Sequence, residues 1–207
     1  MASPAVEALD GRQSRTARSR RAICEACLDL VQEGFLQPSA DQVAERAGLS
    51  RRTNINHFTD LAELYDAVVE AGLQRCAPLL VEIPADGPVA ERIERLVDVR
   101  SKFLEATAPF TRALTAQALV GPAGDQAIRV SREALRIQHQ ELERLFAGEL
   151  ARLSAGDRAE VLEAMSAALA PLHWEYLRRS RGNSTSRARA VVRRGLLALL
   201  RDAGVET

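Results

Sequence analysis

SADQVAERAGLSRRTNINHF, residues 39–58, reads as two short helices joined by a glycine turn. Ser39 followed three residues later by Gln42 is a capping-box pattern, which satisfies amide donors left over at a helix start. Val43, Ala44 and Ala47 give the first helix an apolar face. Gly48 supplies the left-handed residue that ends it, Leu49 plugs the space between the helices, and Ser50 caps the second. That second helix, RRTNINHF, carries Arg51, Arg52, Thr53, Asn54, Asn56 and His57, side chains suited to phosphates and base edges. A helix-turn-helix of this kind presents its second helix to the DNA major groove.

Working outward, RRAICEACLDLVQEGF precedes the motif as a first helix ending in Gly and an aromatic, and DLAEL follows it. With VAERAGLS and RRTNINHF between them, residues 18–64 resemble the N-terminal domain of the tetracycline-repressor (TetR-type) family of transcription regulators. The resemblance covers less than a quarter of the chain, through several elements that agree in order. It implies an all-α fold, an N-terminal three-helix DNA-binding domain, a larger ligand-binding and dimerisation domain, and repression at an inverted-repeat operator. Two residues depart from the pattern. Ile55 stands where members usually carry an aromatic, and Leu61 where they carry Lys; both positions commonly touch DNA phosphates in the family. The alternative is therefore a helical ligand- or partner-binding protein with a weakened DNA-binding domain.

The roles within the second helix follow from spacing. Arg52 and Asn56 lie four apart on one face, as do Thr53 and His57. Arg suits guanine O6 and N7 and Asn suits adenine N6 and N7, so these two are the expected base readers. Ser39, Ser50, Arg51, Thr53, Asn54 and His57 complete the expected DNA contacts, mainly to phosphate; packing against Phe58 is the other reading of His57. Lys plus Arg and Asp plus Glu are equal at 28 each among 207 residues, so net charge carries no information about nucleic acid. Its distribution does. Residues 11–24 hold five arginines (12, 15, 18, 20 and 21) and no acid. Beside a recognition helix such an arm neutralises phosphates, with Arg18 and Arg20 the expected contacts. A solvated N-terminus is the plainer reading of the same run.

The chain reads as helical throughout, in about nine helices, because apolar residues recur at three and four and no stretch alternates with period two. Residues 1–16 are expected to be a disordered basic arm, 17–77 the DNA-binding domain with a connecting fourth helix, and 78–207 the regulatory and dimerisation domain. PLLVEIPADGP, residues 78–88, reads as the junction. Beyond it the pattern predicts a helix from Pro88, another opened by Pro109 and ending near Val120, a long one over 124–153, one over 155–180 kinked at Pro171, and a last one to about Asp202. AMSAALAPLHWEYL (164–177) is apolar nearly all round, so that helix needs cover on every side. The last two helices are thus expected to pair with their copies as a four-helix bundle, making a homodimer.

The seven arginines 178, 179, 181, 187, 189, 193 and 194 have no interleaved aromatics to stack bases. They are read as a solvated or ion-paired surface, with Glu149, Asp157, Glu160 and Glu163 as possible partners across a dimer. Gln117, His139, His173 and Trp174 fall on apolar segments and are the candidate contacts for a small-molecule effector of unknown chemistry, against the plainer reading of core packing. Cys24 and Cys27 lie on the buried stripe of the first helix and read as core cysteines. No Gly-rich phosphate loop, metal-ligand spacing or nucleophile elbow occurs, so neither an enzyme nor a cofactor or metal is expected. MASPAVEALDGRQSR lacks a secretory apolar segment and no run approaches the ~18 apolar residues of a membrane span. A cytoplasmic protein without membrane contact is expected.

Overall fold

A computed structural model describes residues 4–50, 58, 61–79, 81–120 and 124–206. Among the described residues there are nine α-helices and no strand: α1 (Pro4–Gln32), α2 (Ala40–Arg46), α3 (Leu61–Cys76), α4 (Val89–Val120), α5 (Gly124–Leu145), α6 (Ala147–Leu150), α7 (Ala155–Ala168), α8 (Pro171–Glu175) and α9 (Thr185–Asp202). A 3₁₀ turn, Ala77–Leu79, follows α3, and a π-helical turn, Tyr176–Ser180, continues α8.

The chain forms two units. One is built from Met1–Arg75 with Pro109–Ile128, the other from Cys76–Ala108 with Arg129–Thr207. In the first, Ile23, Ala26, Cys27 and Leu30 of α1 pack with Val43 of α2, Phe58 and Val68 of α3, and Phe110 lies against this core. Each helix contributes one apolar face to this core. In the second, Ile93 and Leu96 of α4, Leu142 of α5, Phe146, Met165 of α7, and Leu196 and Leu200 of α9 are at most 1% exposed and form the centre. The expected junction is anchored there: Ile83 is buried, and Arg144 Nη2 donates to its carbonyl at 2.6 Å.

Several expectations are corrected. α1 begins at Pro4, so residues 4–16 are helical rather than a disordered arm. Ala5, Glu7, Ala8, Leu9, Arg12 and Arg15 are good helix formers, and proline is tolerated in a first turn. α4 runs unbroken through Pro109. A proline removes one backbone hydrogen bond, and buried Leu104 and Ala113 hold the helix on either side. Pro109 is nonetheless where α4 passes from the second unit to the first, so residues 109–128 fall outside the expected second domain.

Two breaks were also unforeseen. The helix expected over 124–153 is interrupted at Phe146, whose φ is −120°. That expected over 155–180 breaks at Leu169 and Ala170, and Pro171 opens α8 instead of kinking one rod. Proline disfavours the helical conformation in the residue before it, and Ala170 is extended, with ψ 143°. Within the single chain, 164–177 is only partly covered. Leu172 and Tyr176 are 64% and 54% exposed, while Met165, Leu169, Trp174 and Leu177 are buried.

Candidate DNA-binding interface

The first unit sets out the motif as the sequence dictates up to Ser50. Ser39 is extended (φ −73°, ψ 158°); its Oγ accepts from the Gln42 amide at 3.3 Å, and its own amide donates to Gln42 Oε1 at 2.8 Å. The reciprocal pair fixes where α2 begins and contributes about 1 kcal/mol. At the other end Gly48 has φ +66°. Its amide donates to Glu45 O at 3.1 Å and the Leu49 amide to Ala44 O at 2.9 Å, the two bonds of a Schellman turn. The chain thus leaves α2 in a defined direction, with Ser50 exposed at the point where the second helix was expected.

The end of α1 uses the same device. Gly34 (φ +106°) donates to Val31 O and Phe35 to Leu30 O, at 3.0 and 3.1 Å. The α1–α2 angle is then tied by Arg46, whose Nη1 and Nη2 each meet a Glu33 oxygen at 2.8 Å. That paired hydrogen bond holds the exposed Glu33 carboxyl below its usual range. The sequence reading missed this pair. The only signal for it was an Arg in the last turn of α2 opposite an acid closing α1.

Arg18 is exposed, and Arg20 is not free for phosphate in the same way. Arg20 Nη1 donates to Glu63 Oε1 at 2.6 Å, and its guanidinium lies 4.3 Å from the centre of the Phe58 ring. An arginine over an aromatic face and bound to a carboxylate clamps α1 to α3 around the residue that closes the motif. Arg75 makes a second α3–α1 bridge, to Asp29 at 2.9 Å. Between these bridges runs an open groove of about 960 Å³ with a floor of Cys24, Leu28, Ala67 and Ala71 and a rim of both charges. Burial raises the Cys24 thiol pKa and pushes that of Cys27 up to about 12, as befits unreactive core cysteines. Arg51, Arg52, Thr53, Asn54, Asn56 and His57 lie outside the described residues, as does Ile55.

The four candidate effector contacts do not share one place. Gln117 is buried in the first unit, while His139, His173 and Trp174 belong to the second. Trp174 is buried, and its Nε1 donates to Glu105 Oε1 at 2.7 Å. Arg178 Nε donates to the same oxygen at 2.7 Å, and Arg178 also bonds the Asn183 carbonyl, tying the π turn to the start of α9. Arg178 first, and Trp174 after it, hold the Glu105 carboxyl below its usual range. This arrangement gives Trp174 a structural partner. His139 Nδ1 is 2.9 Å from Ser166 Oγ and its Nε2 3.7 Å from Glu163, while Gln138 Nε2 donates to Ser166 O at 3.0 Å. These polar groups lie partly inside an otherwise apolar unit. His173 is half-buried.

Of the arginine-rich surface, Arg178, Arg189 and Arg193 are ion-paired, the last two to Glu94 and Asp98 of α4. Among the described residues there is no group of three or more side chains suited to a metal ion, and no helix long and apolar enough to cross a membrane.

No family model and no curated protein matches the chain. Solved structures do. A transcriptional regulator from Rhodococcus sp. Rha1 aligns over 93% of this chain and 99% of its own, with a TM-score of 0.66 at 17% identity. A TetR-family transcriptional regulator from Streptomyces coelicolor aligns over 90% of this chain and 82% of its own, with 0.67 at 18%. A Clostridium perfringens protein described as a putative fatty acid metabolism regulator covers 86% of this chain and 97% of its own, with 0.60 at 15%. What is shared at these identities is the fold: an all-α chain with the architecture of a TetR-type regulator.

Proposed function

We propose that this chain, built on the TetR-type fold, is a sequence-specific DNA-binding regulator that acts as a homodimer and represses transcription until a small-molecule effector binds. The observation that carries the reading is the geometry at residues 39–50. A reciprocal cap and a left-handed Gly48 aim the chain out of α2 as a helix-turn-helix requires.

In this reading residues 51–57 form the helix that enters the major groove. Arg52 and Asn56 read base edges. Arg18, Ser39, Ser50, Arg51, Thr53, Asn54 and His57 hold phosphates, and Arg20 acts mainly by clamping α1 to Glu63 and Phe58. Two copies joined through the last helices set their reading helices about 34–36 Å apart, one DNA turn, so the operator is an inverted repeat. α4 supplies residues to both units, which makes it the element through which an effector held in the second unit, near His139, alters the first. The protein works in the cytoplasm, where its operator is, and catalyses no reaction.

Selection of random double-stranded DNA by the purified protein, at moderate salt, tests this. Enrichment of one inverted repeat is the expected result, and its genomic position names the controlled promoter. Weak, salt-sensitive binding without enrichment would remove the proposal.

A further inference from the structure

Three helices of the first unit are tied together through two acids of α1. Asp29 and Glu33 stand one turn apart, where like charges repel each other. Each is met by an arginine from a neighbouring helix. Arg75 of α3 reaches Asp29 at 2.9 Å, and Arg46 of α2 grips both oxygens of Glu33 at 2.8 Å. Arg46 outweighs the nearby Asp29 at Glu33, whose carboxyl lies below its usual range.

The apolar seat of α2 is small. The helix has seven residues, of which only Val43 and Ala44 are buried. Phe35 and Leu36, in the loop before it, are 43% and 44% exposed and add little anchorage. On such a footprint a short helix can tilt, whereas a guanidinium fork on a carboxylate resists rotation as well as separation. The fork also lies where the chain turns. Glu33 immediately precedes the left-handed Gly34, and Arg46 lies two residues before the left-handed Gly48.

We propose that Glu33 and Arg46 are positioning residues for DNA recognition: the pair fixes the angle between α1 and α2, and through it the direction in which residues 51–57 are presented. The inference rests on the helix-turn-helix reading and adds to it an acid that operator binding needs. A carboxylate on a DNA-binding unit repels phosphates, so by charge alone Glu33 lowers affinity. By geometry it raises affinity, because only molecules with α2 at the right angle bind, and the apparent dissociation constant scales with the inverse of their fraction. Arg46, held at two points by Glu33, acts through this angle and not as a phosphate contact.

The test uses full-length Glu33→Gln, Arg46→Gln and the swap Glu33→Arg/Arg46→Glu, titrated with the selected operator over a salt series. Measurements are made well below the thermal midpoint, where all of the protein is folded and lost stability alone leaves affinity unchanged. Glu33→Gln is expected to weaken operator binding about fivefold, although it removes a negative charge. Arg46→Gln does the same with an unchanged salt slope, and the swap, which restores the pair, recovers most of the loss. Amide exchange without DNA reads the same hinge: α2 exchanges faster in each single variant and returns towards the wild-type rate in the swap. Wild-type or tighter operator binding by Glu33→Gln overturns the proposal, as does unchanged exchange in α2. So does a salt slope lowered by about 1 in Arg46→Gln with a swap worse than either single change, which would make Arg46 a phosphate contact. A wild-type protein that selects no operator removes the DNA-binding reading, and the positioning role with it.

Discussion

Gly72 and Phe110 meet so closely that a Cβ on the glycine would lie 2.8 Å from Cε2 of the ring. α3 and the later part of α4 can therefore touch in the first unit only because position 72 has no side chain. In a helix interior Ala is otherwise favoured over Gly by about 1 kcal/mol. Gly72→Ala is thus expected to destabilise the wild-type protein by about 1–2 kcal/mol through overpacking. In a Phe110→Ala background the sign reverses and the same change stabilises. Urea unfolding of the four proteins measures this cycle; equal effects of Gly72→Ala in both backgrounds would contradict the contact.

The Arg92–Glu149 pair makes stability depend on acid pH. Glu149 accepts from both terminal nitrogens of Arg92, at 3.1 and 2.5 Å, and Arg92 also donates to Leu145 O at 2.5 Å. The hydrogen bonds from Arg92 hold the carboxyl below its ordinary value of 4.5. Because the folded value is the lower one, the stabilisation is complete above the unfolded value and is lost as pH falls through the folded value. Glu149→Gln is expected to cost about 2 kcal/mol at pH 7, since Arg92 stays buried without its counter-charge. The gap between the two proteins narrows below pH 4.5. A gap as wide at pH 3 as at pH 7 would place the effect elsewhere.

How far the sequence reached depended on whether a feature was local. Ser39 with Gln42, Gly34 and Gly48 are signals complete within a few residues, and each stands in the structure as its chemistry requires. Arg20 was ambiguous in principle, because the guanidinium that suits a phosphate also suits Glu63 and the Phe58 face. Pro109 and Pro171 look alike in sequence, yet one sits inside a helix and the other opens one. Packing around the turn separates them, and periodicity does not report packing. That residues 109–128 join the first unit was equally hidden, since an apolar stripe states that a face is covered without stating by what.

Gly48 offers a measurement of the turn alone. With φ +66° and nothing within 4 Å of a built Cβ, an added methyl meets no neighbour, so any penalty comes from the backbone. Gly48→Ala is expected to cost about 1–2 kcal/mol and Gly48→Asn less, because Asn tolerates the left-handed region. Thermal melts of the three proteins decide it. Equal costs for Ala and Asn would mean that the position is limited by sterics instead.

The division of labour among the arginines is open to a direct comparison. If Arg52 reads a base edge, Arg52→Ala costs about 1–3 kcal/mol on the operator and relaxes preference at one base pair, leaving binding to unrelated DNA nearly intact. If exposed Arg18 holds a phosphate, Arg18→Ala weakens binding to all sequences alike and lowers the salt slope by about 1. Arg20→Ala should differ from both. Losing the clamp on Glu63 and Phe58 lowers the stability of the first unit as well as its affinity, so its defect appears in unfolding experiments without DNA. Titrations over a salt series on the selected operator and on its single-base variants separate the three. A uniform loss on Arg52→Ala would reassign that residue to the phosphates, and with it the claim that Arg52 and Asn56 share the reading face.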